Sequence, residues 1–488
     1  MSVAQRLRQK LLDLAIHGKL VPQCAKDEPA GELLVRIRKA RLQLLAAKGV
    51  KKEDQIIPVG DDEVPFELPK EWTWCRFREL GILTGGHTPS MANPKFWNGD
   101  VLWVTSKDMK RKYIEDTGAK ITALGADELT TLEPGAVLMC TRSGILRRTF
   151  PVAIAAKELT INQDQRALTL ALPEMAEYVY SALCALEPLI LAEYRKTGTT
   201  VESIIWEKFI DMPFPLPPLT EQKRIVEKLN AMLKEATRVA EGTERLAQLR
   251  KKARAKILDL AIRGKLVKQE KSDEPASELL KRIAAEKAKL VAEKKIRKEK
   301  PLPPIADDEI PFDLPKGWAW ARIGDISSGF MYGTAEKSKP AGAVPVLRMG
   351  NLQDGEIDFG DLVYTSNKED IKTYALTPGD LLFNRTNSDD KVGKVSIFRD
   401  DRPCIYAGYL VRFRPLLCDS EYINYVMNSH YQWTFCQSVK SDAVNQSNIS
   451  ASKFVRFLVP IPPLAEQQRI VAKVKEMLAA CDALGGEG

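Results

Sequence analysis

Arginine and amide side chains recur at matching places along this sequence of 488 residues. Both carry forked hydrogen-bonding groups. A guanidinium offers paired donors that fit a guanine edge, and an Asn or Gln amide offers a donor beside an acceptor, which fits adenine. Arg142 follows the apolar run Val137-Leu138-Met139-Cys140, and Asn162-Gln163 precede a second run. In the other half of the chain Arg348 follows Val346-Leu347 and Arg385 follows Leu381-Leu382-Phe383-Asn384, while Asn445-Gln446-Ser447-Asn448-Ile449 stand further on. Short apolar runs predict strands. The forked groups therefore lie at strand ends and in loops, where rigid elements can aim them. Lys107, Lys110, Arg111 and Lys112 suit phosphates, which position a duplex without specifying its sequence.

Groups that would modify or cut a nucleic acid are missing. Asn93-Pro94-Lys95-Phe96 mimics the Asn-Pro-Pro-Tyr loop of an adenine methyltransferase, but lysine replaces the second proline. No glycine-rich cofactor loop follows a strand. Gly393-Lys394 continue with Val395, so the phosphate-binding GxxxxGK[ST] pattern is absent. Asp370-Ile371-Lys372 has a nuclease-like spacing that a chain with 28% charged residues produces by chance. The eight cysteines form no CxxC pair, and with only three histidines they read as reduced cytosolic thiols without a zinc site.

The elements that would position these groups come in two copies. Lys10-Leu11-Leu12-Asp13-Leu14-Ala15-Ile16-His17-Gly18-Lys19-Leu20-Val21 returns 246 residues later as Lys256-Ile257-Leu258-Asp259-Leu260-Ala261-Ile262-Arg263-Gly264-Lys265-Leu266-Val267. Asp27-Glu28-Pro29-Ala30 and Asp61-Asp62-Glu63-Val64-Pro65-Phe66 return at the same offset, as do Trp72 and Trp74. Pro217-Pro218-Leu219-Thr220-Glu221-Gln222 matches Pro462-Pro463-Leu464-Ala465-Glu466-Gln467 at an offset of 245. Such a register marks an internal repeat. The repeat is circular, because the first copy opens on the second half of the central helical sequence and the second copy ends on its first half. Trp72, Trp74, Trp318 and Trp320 read as core residues.

Ile225, Leu229, Met232, Ala236, Val239 and Leu246 fall in steps of three, four and seven, which lays one apolar stripe along a helix. Thr220 is placed to cap its start and Gly264 to stop it. A return helix follows Pro275, with Leu279, Leu280, Ile283, Leu290 and Val291 on its apolar side. The pair forms an antiparallel hairpin. Residues 220–300 hold 24 Lys/Arg against 13 Asp/Glu, whereas the whole chain carries a net charge of +8. The helices are thus basic, which suits a polyanion or an acidic partner. No apolar run reaches the length of a membrane span.

The whole chain resembles the specificity subunit of a type I restriction-modification system. The Pro-Pro-Leu-x-Glu-Gln lead into each helix, the Gly85-Gly86-His87-Thr88-Pro89-Ser90 loop, Asn93-Pro94-x-Phe96-Trp97-x-Gly99-Asp100 and Thr141-Arg142 carry the likeness in the first half. Leu347-Arg348-x-x-Asn351, Asn384-Arg385-Thr386-Asn387-Ser388, Gly393-Lys394 and the Asn445 stretch carry it in the second. Two departures stand out. Ala465 replaces Thr220, and Thr141-Arg142-Ser143-Gly144 differs from Arg385-Thr386-Asn387-Ser388, as expected if the two copies read different bases.

The resemblance implies an α+β fold, with two pseudo-symmetric α/β target-recognition domains separated by long antiparallel helical hairpins. It divides the chain into helical regions at 1–60, 220–306 and 464–488 and recognition domains at 61–219 and 307–463. It implies a non-catalytic, cytoplasmic bacterial or archaeal subunit that reads a bipartite double-stranded DNA target. Two methyltransferase subunits dock on the helices and bring S-adenosylmethionine, and restriction motor subunits join for cleavage. DNA contacts are then expected from His87, Thr88, Ser90, Lys107, Lys110, Arg142, Ser143, Arg147, Asn162 and Gln163. In the second domain they are expected from Tyr332, Arg348, Asn351, Arg385, Asn387, Ser388, Lys394, Tyr409, Asn445, Gln446 and Asn448. A helical scaffold binding only protein is the other reading, and the forked residues in both halves count against it. Methyl-transfer and nuclease assays on the purified single chain should both give background rates; robust methyl transfer would refute the reading.

Overall fold

The structure, a computed structural model, describes residues 3–49, 55–127, 129–197, 201–388, 391–443 and 446–484. It contains two compact units, Met1–Thr243 and Glu244–Gly488. Each unit joins helices to one globule around a shared apolar core.

In the first unit Leu11, Leu12 and Ala15 of the helix Val3–Ile16 and Leu33 and Ile37 of the helix Ala30–Ala47 meet Val137, Met139 and Leu168 of the globule. Ile225 and Leu229 of the long helix join them. That helix, Leu219–Ile262, has 44 residues. Its predicted stripe is buried at Ile225, Leu229 and Ala236 but exposed at Met232, Val239 and Leu246. Gly264 ends it at φ +64°, matched by φ +63° at Gly18. A Cβ on either would strike Pro315 or Pro69, so both the left-handed backbone and the tight approach require glycine.

Thr220 does not cap. The helix has already begun at Leu219, and the Thr220 hydroxyl donates to Asp27 at 2.6 Å instead. Ala465 therefore costs the second copy a side-chain bond rather than a helix start. The stretch from Ala176 to Tyr194 folds as two helices, Ala176–Ala185 and Glu187–Glu193, and the second is bent by 58° from the helical run Pro173–Ala185. Pro188 sits in the first turn of the second, where its missing N–H is tolerated and its ring prevents continuation. Among the described residues no single helix is long and apolar enough to cross a membrane.

The globules share a strand plan. In the first, Gly81–Gly85, Gln165–Leu170, Val137–Cys140, Val152–Ala155 and Tyr113–Ile114 form one sheet in that order, and Ala119–Ile121, Trp97–Val104 and Thr160–Ile161 form another. In the second, Ser327–Tyr332, Leu410–Pro415, Leu381–Asn384 and Val395–Ile397 form one, and Val363–Thr365, Val344–Leu347 and Ile405–Tyr406 the other. The central strands Val137–Cys140 and Leu381–Asn384 are buried at every residue. One side faces the helices, and the other packs a second cluster around Leu138 or Leu382.

Both globules are tied at their ends. Thr73–Arg76 pairs antiparallel with Pro213–Leu216, and Ala319–Arg322 with Leu458–Ile461. Arg76 and Arg322 close those pairs. Arg322 is 1% exposed; its guanidinium donates to the carbonyls of Pro303, Pro304 and Arg456 and to both oxygens of Glu309. Arg76 does the same with Ile57, Pro58, Asp211 and Glu63. The bonds from Arg76 hold the Glu63 carboxyl down to about 2, from an ordinary 4.5.

Arg322→Met should orphan three carbonyls and lower the stability of the second unit by at least about 2 kcal/mol, read by chemical denaturation. A depressed carboxyl stabilises above its ordinary pKa and loses that contribution as pH falls toward its folded one. The stability gap between the parent and Glu63→Gln should therefore be full above pH 5 and shrink as pH drops from 4.5 toward 2.

Candidate nucleic-acid interface

The strand ends gather the predicted residues at one edge of each globule. In the first, Gly85 pairs with Arg166 and Cys140 with Gln165, so the loops after Gly85 and Cys140 and before Gln165 emerge together. Val104 pairs with Ile161, which brings in the loop after Val104. Cross-bonds lock these loops: the His87 N–H donates to the Ile161 carbonyl at 3.0 Å, and the Asn162 N–H to Val104 at 3.1 Å. A Cβ on Gly86 would lie 2.0 Å from the Asn162 carbonyl, so only glycine allows the approach. His87, Thr88, Ser90, Lys107, Arg142, Ser143 and Gln163 all sit in these loops. Thr88 bonds the Gln163 amide, while the Ser90 and His87 carbonyls accept from the indoles of Trp97 and Trp103.

The second unit repeats the arrangement. Tyr332 pairs with Val411, Asn384 with Leu410 and Leu347 with Tyr406. The loops after Tyr332, Leu347, Asn384 and Tyr406 therefore meet. Gly333 takes the place of Gly86, with a Cβ position 2.1 Å from the Tyr406 carbonyl. Thr386–Asn387 pairs with Gln446–Asn448, which pairs with Ser441–Ala443. Arg385 lies over the Tyr332 ring, 5.0 Å from its centroid, and donates to Asn448 Oδ1 at 3.2 Å. Burial raises the Tyr409 phenol pKa, opposed by the nearby Arg348 and by the Met349 backbone.

Comparison with known proteins fits this doubled design. Residues 69–248 and 315–485 match the type I restriction modification DNA specificity domain. The chain belongs to that family. The type I restriction enzyme EcoAI specificity subunit of Escherichia coli is 30% identical, across 98% of this chain and 90% of that protein. The EcoEI specificity subunit of Escherichia coli is 28% identical over the same shares. A solved structure from work on complex assembly and conformational transition of the type I R-M system shares the fold. Its TM-score is 0.52 at 19% identity, covering 86% of this chain and 93% of that one.

Within this specificity subunit several expected contacts are otherwise engaged. Asn351 is 3% exposed; its amide accepts from the Arg348 N–H and donates to the carbonyls of Asp358 and Asp361. These bonds build its loop. Asn162 is also buried, and its oxygen accepts from the Asp164 N–H. Arg147 is bound to the buried carboxylate of Glu202, which also holds Arg195. Arg348 pairs with Asp361 at 2.7 Å, and Lys394 donates to Gln353 at 3.0 Å. Asn387 accepts from the Ser388 N–H. Lys110 lies away from the strand ends, in a groove of about 890 Å³ with Arg8, Arg111, Lys112 and Arg148. Asn445 falls outside the described residues, and Gln446 is placed by its backbone alone.

Other residues at the first edge escaped notice. Arg166 lies beside Gly85 and over the Trp206 ring at 5.5 Å. The ladder Arg195–Lys196 with Ser203–Ile204 stands where the second unit has Ser441–Ala443 with Gln446–Asn448, and Arg142 bridges to Ser203 as Asn387 does to Ser447.

Burial and exposure separate two substitutions. Asn351→Ala should cost on the order of 2 kcal/mol, because two carbonyls and one N–H lose their partner. Arg348→Ala breaks an ion pair with an exposed aspartate and should cost under about 1 kcal/mol. Thermal unfolding of both variants beside the parent checks the order.

Proposed function

We propose that this specificity subunit is a non-catalytic reader that grips a bipartite double-stranded DNA target, one half-site per unit. The observation that carries the reading is the same strand-end edge built twice on one plan with different side chains. Identical frames would hold each edge against a major groove, and unlike residues would read unlike bases. Exposed Lys107 and Arg142 supply positive charge at the first edge, where phosphates lie on either side of the groove.

On this reading the helices carry the partners. Two methyltransferase subunits would dock on them, bring S-adenosylmethionine and methylate the target, and restriction motor subunits would join for cleavage. The exposed apolar side chains Val239 and Leu249 on the long helix offer non-polar area for such contacts.

The paired ends of each globule support exchange as a unit. Residues 61–216 replaced by the matching segment of a relative should change one half-site and leave the other, as mapped by methylation of genomic DNA in a host carrying the methyltransferase partner. A change in both half-sites, or in neither, would refute one-domain-one-half-site reading.

A further inference from the structure

Eight arginines occur in the second globule between residues 307 and 463, and most are already neutralised. Arg322 holds Glu309, Arg348 holds Asp361, Arg399 holds Glu356 and Glu421, Arg402 holds Asp400, and Arg414 holds Asp380. Arg385 stands at the strand-end edge and, among the described residues, has no carboxylate partner. Its backbone is pinned on both sides. The N–H donates to the Tyr409 carbonyl at 3.3 Å, and the carbonyl accepts from the Ile449 N–H at 2.8 Å. Its side chain is held too. The Tyr332 ring lies under the guanidinium, and one corner, Nη2, is tied to Asn448 Oδ1. The other end of that amide donates to the Thr386 hydroxyl at 3.1 Å, so Asn448 is itself fixed. Nε is buried without a partner among the described residues.

We propose that Arg385 reads a guanine in the half-site gripped by the second unit, with Tyr332 and Asn448 as its positioning residues. This rests on the reading of the chain as a DNA-recognition subunit. Holding a guanidinium by face and corner fixes the plane in which its donors lie. A phosphate needs charge from any direction, and flexible lysines supply it; a fixed plane gains only where direction matters. After the bond to Asn448, Nη1 and the second Nη2 hydrogen remain as two side-by-side donors. Guanine O6 and N7 are two side-by-side acceptors, whereas adenine places a donor beside its N7 and would oppose one of them. Asn448 has its amide engaged at both ends and orients the reader instead of touching the base. Arg348, with an aspartate on its fork, is not a reader.

The test uses the full chain assembled with its methyltransferase partner and a duplex library randomised across both half-sites. Methylation is the readout, with binding measured at several salt concentrations. Arg385→Ala should lower the preference for guanine at one position of one half-site by about tenfold to a hundredfold, leaving the other half-site unchanged. Arg385→Lys should not restore that preference, because it keeps the charge and loses the fork. Asn448→Ala should give a smaller loss at the same position, with an unchanged salt slope. Arg348→Ala should leave every base preference in place. The proposal is overturned if Arg385→Ala weakens all sequences alike, lowers the salt slope by about one and is rescued by lysine, which is how a phosphate contact behaves. A parent complex with no sequence preference in either half-site would overturn the underlying reading as well. The unaltered first half-site is the internal control for folding.

Discussion

A buried guanidinium must have its donors satisfied, and in each unit that demand fixes where a globule begins and ends. Arg322 finds its acceptors in the segment leading into the globule and in Arg456 at its exit. Arg76 finds them at Ile57, Pro58, Glu63 and Asp211. Leaving such a charge unpaired inside the fold is costly, so the leading segment cannot drift from the exit strand. With the ends side by side, each globule becomes an insert on a helical frame. The inner face of each insert still packs on the helices, so a segment exchanged at these ends must keep the apolar positions that meet them.

The same economy appears where the frame meets the insert. Trp318 donates to Glu466 at 3.0 Å, and Gln269 donates to the same carboxylate at 3.2 Å. Gln23 reaches Glu221 in the first unit at 2.7 Å. Arg224 grips Asp27 and Arg469 grips Asp273. Burial raises the pKa of Glu221 and Glu466, which those donors counter. Residues with these tasks are identical in the two copies, because geometry leaves no alternative. Residues at the strand-end edges face outward and are free to differ, so Thr88 with Gln163 stands in one copy and Tyr332 with Arg385 in the other.

This division explains what could be read from the sequence. The repeat register, the helix stop at Gly264 and the strands around Val137 and Leu381 follow from spacing and apolar runs, which are local. So does the gathering of forked groups at strand ends. Burial of a single amide is not local. Asn351 and Asn162 have the right chemistry for a base edge; each accepts from a backbone N–H two or three residues away, but only the fold shows that both are enclosed. The clamps were equally hidden: Arg76 and Glu63 are polar residues 13 positions apart, and only the fold shows that one is enclosed. Thr220 looked like a cap because prolines precede it, but the backbone turns helical one residue sooner, and a hydroxyl inside the first turn is free to seek Asp27.

The two edges also divide electrostatic work unequally. Thr88 and Gln163 are neutral, so any base they meet is recognised without displacing counterions from the duplex. Arg385 carries charge, but that charge lies over the Tyr332 ring and is tied to Asn448, so on the proposed reading it would face a base and not a phosphate. Counterion release is driven by cations near phosphates. The salt dependence of binding should therefore come mainly from flanking exposed side chains such as Lys107, and base discrimination from groups that contribute little to it. On the proposed reading affinity and specificity would fall to different residues, so that the readers could change while the grip on the backbone stayed the same.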